Sequence, residues 1–352
     1  MAGDVRLERR SMFLRETWYA AAWSDEVASQ PFARTICGEQ VVFFRTQGGT
    51  LVALEDRCCH RRLPLSMGRV TGETIQCHYH GFVFDSSGRC VRVPGQDIVP
   101  NSARVKSYVV NERYSLIWIF LGDPESANPD DIPDYHWITD PGWGSKGAQF
   151  SVRCNYQLII ENLLDLTHLA FVHSTTIGNA AVIEGAQVEF QRGTRTVDVR
   201  REIKDALPPP TYQKAGQFPG NVDRWQYINF APPGFVRLDT GACEAGKADD
   251  PKARRISLRN LNIITPEDEN NSHYFWAQCH DFDVENSQTT EMIFEDVKLA
   301  FLEDVKVFEA QHVSILKAPQ SCEIDVNGDT GGLQARRIIK RMLELQSSGK
   351  GS

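Results

Sequence analysis

The chain has 352 residues, of which 38 are Lys or Arg and 46 are Asp or Glu, giving a formal net charge of −8. This balance argues against a nucleic-acid partner, and no apolar run approaches the roughly 18 residues that a membrane helix needs. The nine cysteines are odd in number and scattered, which argues against a disulfide framework and predicts a cytoplasmic protein. The length of the chain leaves room for two domains.

Short apolar runs broken by turn residues predict that the first third of the chain is all-β. Residues 40–45 (QVVFFR) and 51–55 (LVALE) flank a Gly-Gly turn and predict a hairpin. Residues 81–84 and 90–93 predict a second hairpin, and residues 116–121 (LIWIFL) predict a fully buried strand.

Two loops of this β region carry metal-ligand residues. Cys58 and His60 follow the pattern C-x-H, and Cys77 and His80 follow C-x-x-H. Two thiolates and two imidazoles can bind either zinc or an iron–sulfur cluster. The order favours a Rieske-type [2Fe–2S] centre, in which the cysteines hold one iron and the histidines the other. Structural zinc is the alternative.

A domain boundary is predicted in residues 122–143, which are dense in Pro, Asp and Asn. We therefore assign residues 1–125 to the first domain and residues 126–352 to the second.

The second domain begins with a polar cluster in an apolar setting, residues 161–173 (ENLLDLTHLAFVH). At helical spacing Asn162, Asp165 and His168 share one face, and buried polar groups need partners or a metal. His168 and His173 lie about 140° apart on a helix, so they can share one ion only if the helix bends or ends between them. The alternative is a pair of core histidines that Asn162 and Asp165 satisfy.

Alternating patterns predict an antiparallel sheet in the middle of this domain. The predicted strands are residues 188–203 (a strand pair), 224–230, 234–238, 255–264 and 273–279. Residues 207–221, rich in Pro and Gly, are predicted to be a long loop that could cover a pocket.

The last third is predicted to be helical. Residues 291–312 carry an apolar stripe that contains Asp304, whereas Glu303 is expected on the surface. Two histidines and an inward carboxylate leave coordination positions open, as in non-haem Fe(II) sites that activate oxygen. The alternative is that Asp304 is a surface acid beside Lys306. Residues 335–345 predict a terminal amphipathic helix.

With both motif sets in view, the chain resembles the oxygenase (α) component of Rieske non-haem iron oxygenases over nearly its full length. The motifs are CCHRRLPLSMG, CHYHGFVF, NLLDLTHLAFVH and LEDVKVFEA, in that order. The resemblance implies an α+β protein: an N-terminal all-β Rieske domain and a helix-grip-like catalytic domain, with an antiparallel sheet and flanking helices.

The resemblance also implies the ligands. Cys58 and Cys77 would hold one cluster iron and His60 and His80 the other, and His168, His173 and Asp304 would hold the mononuclear iron. Asp165 would be a bridging aspartate that bonds His168 and, across a subunit boundary, a cluster histidine. Asn162 would support the iron ligands or bind weakly.

Within the family, the chain looks most like the aromatic-acid monooxygenases, which include vanillate and dicamba O-demethylases and toluenesulfonate methyl-monooxygenase. The implied reaction uses O2 and electrons from NAD(P)H, through a separate reductase or ferredoxin, to hydroxylate or demethylate a small aromatic acid or sulfonate. A homotrimer is implied. The alternatives are a ring dioxygenase that forms a cis-diol and a Rieske electron carrier without chemistry of its own.

The chain departs from the family pattern at two places. Cys59 replaces a common proline. Where dicamba-type enzymes offer a histidine to the substrate carboxylate, this chain has an Arg-Asn-Leu-Asn strand. The predicted substrate contacts are Asn229, Arg259, Asn260 and Asn262, with Arg259 a partner for an anion if its face points inward.

Overall fold

A computed structural model describes residues 12–348, so the outermost ends of both predicted domains lie outside the described residues. The strands are β1 (Thr17–Trp23), β2 (Phe32–Ile36), β3 (Glu39–Arg45), β4 (Leu51–Glu55), β5 (Arg69–Thr71), β6 (Thr74–Gln76), β7 (Val83–Phe84), β8 (Cys90–Arg92), β9 (Ser107–Tyr108), β10 (Val110–Arg113), β11 (Leu116–Leu121), β12 (Gly144–Val152), β13 (Ala186–Arg192), β14 (Val197–Ala206), β15 (Val222–Ala231), β16 (Phe235–Glu244), β17 (Arg255–Pro266) and β18 (Ser272–His280). The α-helices are α1 (Tyr156–Leu164), α2 (Ala181–Glu184), α3 (Pro210–Gly216), α4 (Ser287–Lys317) and α5 (Thr330–Ser347).

The first part of the chain is all-β, as predicted. Its strands form sheets in the orders β2-β3-β4-β9, β5-β6-β7-β8 and β1-β11-β10. Both predicted hairpins are present, as the antiparallel pairs β3/β4 and β7/β8. Every residue of β11 is buried, because the strand is apolar throughout and lies between two partners.

The second part is built on one antiparallel sheet of seven strands in the order β12-β18-β17-β16-β15-β14-β13. Helices pack on its inner face, where Trp276 of β18 stacks on Phe294 of α4 with ring centroids 5.1 Å apart. The predicted loop 207–221 is wrong in part because it contains α3, whose first residue is a proline preset for a helical first turn.

The segment 161–173 is not one helix. α1 ends at Leu164, Asp165 is extended (φ −121°, ψ 103°), and a 3-10 turn follows over Leu166–Ala170. The break occurs because the Asp165 carboxylate accepts the Thr167 amide at 2.9 Å and so caps a new turn. The prediction that Asn162, Asp165 and His168 share one face of a continuous helix was therefore wrong. The required helix end between His168 and His173 is present, because the 3-10 turn ends at Ala170.

The two parts of the chain are joined by buried hydrogen bonds. The Thr265 hydroxyl donates to the carbonyl of Ala20 at 2.8 Å. His273 Nε2 lies 2.9 Å from the carbonyl oxygen of Thr35. Within residues 12–348, no helix is long and apolar enough to cross a membrane.

Candidate metal centres and substrate cavity

The two Cys/His loops of the β region close in the same way. In each loop the cysteine amide donates to the carbonyl five residues later, and the amide four residues later donates back to the cysteine carbonyl. The bonds are Cys58 to Leu63 (2.9 Å), Arg62 to Cys58 (3.0 Å), Cys77 to Phe82 (2.8 Å) and Gly81 to Cys77 (3.1 Å). Arg62 and Gly81 both have positive φ, 61° and 74°, which this tight closure requires.

The loops bring the four predicted ligands together in two like pairs. The rings of His60 and His80 are exposed and their centroids lie 4.5 Å apart, with Phe82 stacked on His60. Cys58 and Cys77 are buried beneath them. Burial, reinforced by the neighbouring Cys77, raises the pKa of the Cys58 thiol to about 12, so the Cys58 sulfur needs a nearby cation to ionise. A paired-thiol, paired-imidazole site fits a Rieske cluster.

The predicted mononuclear ligands also converge. Ligand atoms of His168, His173 and Asp304 all lie within 4.8 Å of one another. Asp304 Oδ1 is 3.0 Å from His173 Nε2 and 3.6 Å from His168 Nε2. His173 and Asp304 are buried, 0% and 4% exposed, so the Asp304 carboxylate points inward and the surface alternative is excluded.

The outer nitrogens of the two imidazoles already have acceptors. His168 Nδ1 is 2.7 Å from the Asp165 carbonyl oxygen, and His173 Nδ1 is 2.8 Å from Glu303 Oε2. Each Nδ1 therefore carries the proton, and each Nε2 presents a lone pair. His173 Nε2 is buried and makes no hydrogen bond, although it faces the Asp304 oxygen. Three electron-pair donors that face one point fit a metal cation.

Glu303 was expected on the surface, and its side chain is indeed 26% exposed, but its contact with His173 was not predicted. Its carboxylate holds His173, and it lies one residue before Asp304 on α4. Burial tends to lower the pKa of His173, but the carboxylates of Asp304 and Glu303 outweigh it and raise that pKa. Burial lowers the pKa of His168.

Asp165 and Asn162 lie beside this triad in different roles. The Asp165 carboxylate accepts the Thr167 amide and hydroxyl, both at 2.9 Å, so the bond to His168 comes from its main-chain carbonyl and not from the carboxylate as predicted. Asn162 Nδ2 donates to Asp304 Oδ1 at 3.4 Å, and its own Oδ1 is buried without a partner. Asn162 thus supports the carboxylate ligand.

A cavity of about 70 Å³ opens from the triad between the helices and the inner face of the sheet. Its helix side is mostly apolar and carries the three predicted iron ligands. Its sheet side adds four polar side chains, Gln226, Thr240, Asn260 and Gln278. The helix-side lining is Asn162, Leu163, Leu166, His168, Leu169, His173, Ile177, Thr211, Tyr212, Ile293, Val297, Phe301 and Asp304.

Of the four predicted substrate contacts, only Asn260 lines this cavity. Asn262 is fully buried behind it and donates to Asn260 Oδ1 at 2.7 Å. Asn229 and Arg259 were wrong predictions, because they have the opposite strand parity and point to the outer face. There Asn229 donates to Asp198 at 2.8 Å and Arg259 pairs with Asp239 at 2.6 Å.

Sequence reasoning missed the polar residues that do line the sheet side. Gln226, Thr240 and Gln278 each stand on the buried parity of a strand, where apolar residues are expected. A polar residue at a buried strand position was therefore a signal that could have identified these three residues from the sequence. Tyr212 was hidden because α3 was taken for a loop.

Comparison with known proteins identifies a family for each of the two parts of the chain. A model of the Rieske [2Fe-2S] domain matches residues 17–108, and one of the vanillate O-demethylase oxygenase C-terminal domain matches residues 152–345. The iron-sulfur subunit of the toluene-4-sulfonate monooxygenase system of Comamonas testosteroni is 39% identical over 96% of this chain and 99% of its own length. The vanillate O-demethylase oxygenase subunit of a Pseudomonas species is 37% identical over 95% and 96%. Dicamba monooxygenase bound to 3,6-dichlorosalicylic acid superposes with a TM-score of 0.89 at 30% identity, over 96% of this chain and 99% of the other.

Proposed function

The chain belongs to the Rieske non-haem iron oxygenases of the vanillate O-demethylase type, and on that premise we propose that it hydroxylates a methyl group, or removes an O-methyl group, on a small aromatic acid or sulfonate. The observation that carries the proposal is the open triad of His168, His173 and Asp304 at the wall of a largely apolar cavity. A mononuclear iron held there would activate O2 with electrons that a [2Fe–2S] cluster on Cys58, His60, Cys77 and His80 delivers.

The chain's own residues position the substrate. Leu163, Leu258 and Phe301 of the cavity wall suit the face of an aromatic ring and exclude water from the reacting carbon. Asn260 is held by its neighbours, since it donates to Gln278 Oε1 at 2.9 Å and accepts from Asn262. A fixed amide network on the sheet side can orient the ring without moving during the reaction.

Electron delivery implies partners. The relatives are named as subunits or components of multi-component systems, so the oxygenase works with a separate reductase or ferredoxin as electron donor. We further propose a head-to-tail homotrimer in which the cluster of one subunit serves the iron of the next. Its support is a second cavity, on the outside of His168, that is lined by Asp165 and by four further carboxylates, Glu161, Glu323, Asp325 and Asp329, against one arginine, Arg336, which pairs with Glu161.

The surface around the cluster has the opposite charge. Arg57, Arg61 and Arg62 are exposed on the same loop as His60. This basic loop complements the acidic cavity of another subunit, and His80 or His60 would then face Asp165. Asp165 is suited to bridge, because its carboxylate lines that outer cavity while its carbonyl holds His168.

We also propose that the protein acts in the cytoplasm. None of the nine cysteines, which all lie within residues 12–348, forms a disulfide, and seven of them are buried, as expected in a reducing compartment.

The proposed reaction is tested by one turnover without any partner. The purified protein is reduced, exposed to O2 with methyl- and methoxy-substituted benzoates and benzenesulfonates, and its products are analysed by mass spectrometry. A benzylic alcohol, or a phenol with formaldehyde, is the expected product. A ring cis-diol without formaldehyde would instead establish a dioxygenase.

The trimer is tested by mixing two inactive variants. Cys77→Ser should lose the cluster, and Asp304→Ala should lose the mononuclear iron. Co-expression of both variants should restore activity, because an intact cluster of one subunit can face an intact iron of its neighbour. Mixed oligomers without activity, at an oligomeric state equal to that of the wild type, would contradict electron transfer between subunits.

A further inference from the structure

Two arginines are buried in the inner face of the sheet beside the cavity. Arg224 of β15 is 1% exposed and Arg201 of β14 is 4% exposed. Arginine stays charged in proteins, and an uncompensated buried charge is costly. A buried arginine without a carboxylate partner therefore calls for an explanation.

Neither guanidinium has such a partner. Arg224 donates to Asn179 Oδ1 at 3.2 Å, and Arg201 donates to the carbonyl oxygen of Val182 at 2.7 Å. Neither forms an ion pair with any acid in residues 12–348; Asp165 acts on Arg201 from a distance only. Arg224 Nε and Nη2 and Arg201 Nε are buried N–H groups without a hydrogen-bond partner.

The sheet register places both cations around one cavity residue. Gln226 pairs directly with Arg201 on β14, and Arg224 lies two residues from Gln226 on the same face of β15. Gln226 lines the cavity, and its Oε1, an acceptor, is buried without a hydrogen-bond partner, so no bond to this oxygen fixes which way round the amide lies. Across the next strand pair, Gln226 lies opposite Thr240, another lining residue.

Tyr212 connects Arg224 to the cavity from the helix side. Its ring lies against the guanidinium, with 5.1 Å from Arg224 Cζ to the ring centroid, and Tyr212 itself lines the cavity. α3, which carries Tyr212, is tied to α4 because the Thr211 hydroxyl donates to Asp296 at 2.8 Å. The positive group is thus fixed behind the Tyr212, Gln226 and Thr240 portion of the wall.

We propose that this portion of the wall receives the oxyanion of the substrate, a sulfonate or a carboxylate, and that Arg224 determines specificity for a negatively charged substrate. The Gln226 amide turns its Nε2 toward the oxyanion, the Tyr212 and Thr240 hydroxyls donate to it, and the charge of Arg224, assisted by Arg201, offsets its charge. The amides of Asn260, Asn262 and Gln278 are less suited to bind the acid group, because they already form hydrogen bonds with one another. The inference rests on the proposed function and names which end of the substrate the sheet binds.

Matched pairs of anion and neutral isostere test this inference. The pairs are 4-methylbenzenesulfonate with 4-methylphenyl methyl sulfone, and 4-methoxybenzoate with 4-methoxybenzamide. Affinities are measured by calorimetry on the fully loaded, oxidised enzyme without reductant, where nothing turns over, and KM and kcat are then measured with electrons supplied. The wild type should bind the anion of at least one pair roughly 10- to 100-fold more tightly than its neutral partner.

The variants separate a charge effect from a structural one. Arg224→Gln should remove most of that preference by raising KM for the anion, with kcat and the neutral substrate little changed. Arg224→Lys should keep part of the preference, because it keeps the charge. Arg259→Gln is the matched control, an arginine of the same sheet on the outer face, and should leave the preference intact.

Three results would overturn the inference. The first is equal wild-type affinity for the anion and its neutral partner. This result needs no variant, so it remains decisive if Arg224→Gln fails to fold. Equal losses for both partners in Arg224→Gln would reduce Arg224 to a structural residue. An unchanged preference in that variant would place the oxyanion elsewhere. If both neutral and anionic substrates are oxidised at methyl or methoxy carbons, the proposed function stands in all three cases; if neither is, the proposed function itself fails.

Discussion

The two candidate metal centres differ in how the chain builds them. The cluster ligands come from two short loops, and its histidines, His60 and His80, lie at the surface. The triad joins a 3-10 turn to α4, far apart in sequence, and both His173 and Asp304 are buried. Exposed ligands suit a centre that passes electrons to another molecule, whereas burial suits chemistry from which water must be excluded.

The surroundings of the two centres differ as well. Exposed arginines lie on the loop of His60, whereas carboxylates and the Asn162 amide lie beside the triad. One chain thus provides an exposed centre suited to accept electrons and a separate, buried centre suited to act on a substrate. The variants below alter one centre, the connection between the two centres, or the joint between the two regions.

The largest effect is expected from His168→Ala. Loss of one imidazole should remove the mononuclear iron and lower turnover by roughly 1,000-fold or more, since a bound metal lowers the activation barrier by several kcal/mol. Metal analysis should find the cluster iron retained, with its visible absorption unchanged. Loss of the cluster as well would mean that the two centres are not independent.

Asp165→Asn should leave both centres loaded and slow the transfer between them. The amide can still cap the turn at Thr167 and leaves the carbonyl bond to His168 in place. Turnover should fall roughly 10- to 100-fold, as for residues that support a ligand. Rapid-mixing measurement of cluster reoxidation checks this, and a wild-type rate would remove Asp165 from the electron path.

Glu303→Gln acts on the buried centre alone. The carboxylate that holds His173 Nδ1 becomes a neutral amide, so the imidazole is a weaker and less well oriented donor. Iron affinity should fall about tenfold, as measured by chelator competition. Glu295→Gln, an exposed change on the same helix, serves as the control and should have no effect.

The joint between the two regions should respond to acid. Burial lowers the pKa of His273 to about 4, so the folded protein keeps this imidazole neutral where the unfolded chain protonates it. Stability from this group is therefore complete above about pH 6.5 and declines as pH falls toward 4, by roughly 3 kcal/mol.

Denaturant unfolding at several pH values checks this loss. His273→Gln retains an N–H for the Thr35 carbonyl and should flatten the decline, whereas the exposed His136→Gln should not. An equally steep acid loss in His273→Gln would place the sensitive group elsewhere.

The smallest effect is expected from Cys59→Ser. Cys59 is exposed, while Cys58 beside it is buried with Cys77. Activity and cluster content should change less than twofold, in line with other surface substitutions. Cluster loss in Cys59→Ser, matched to Cys58→Ser, would mean that the ligand in this loop was misassigned.

The cluster loops could be predicted from sequence because ligand spacing within a short loop is local information. The pairing of Asp304 with His168 and His173 required a helix face and a resemblance, since nothing local links residues so far apart. The helix break at Asp165 was not predicted, since the sequence required only a bend or an end between His168 and His173. The break arises because capping by the Asp165 carboxylate competes with helix continuation.

The cavity was predicted least well. Asn229 and Arg259 were chosen for their residue types, but strand parity, which decides the face, depends on register and on which side the helices cover. Glu303 was predicted from its place on the helix alone, without considering that its carboxylate could accept a hydrogen bond from His173. In each case the deciding fact was a tertiary contact.

The most direct test of the account compares the same protein with and without its mononuclear iron. Both samples carry a reduced cluster, receive O2 and the best substrate of the panel, and are followed for cluster reoxidation and hydroxylated product. The account predicts product only in the iron-loaded sample, and none when zinc replaces the iron. Product from the iron-depleted sample, or from a sample loaded with zinc, would contradict the assignment of the chemistry to His168, His173 and Asp304.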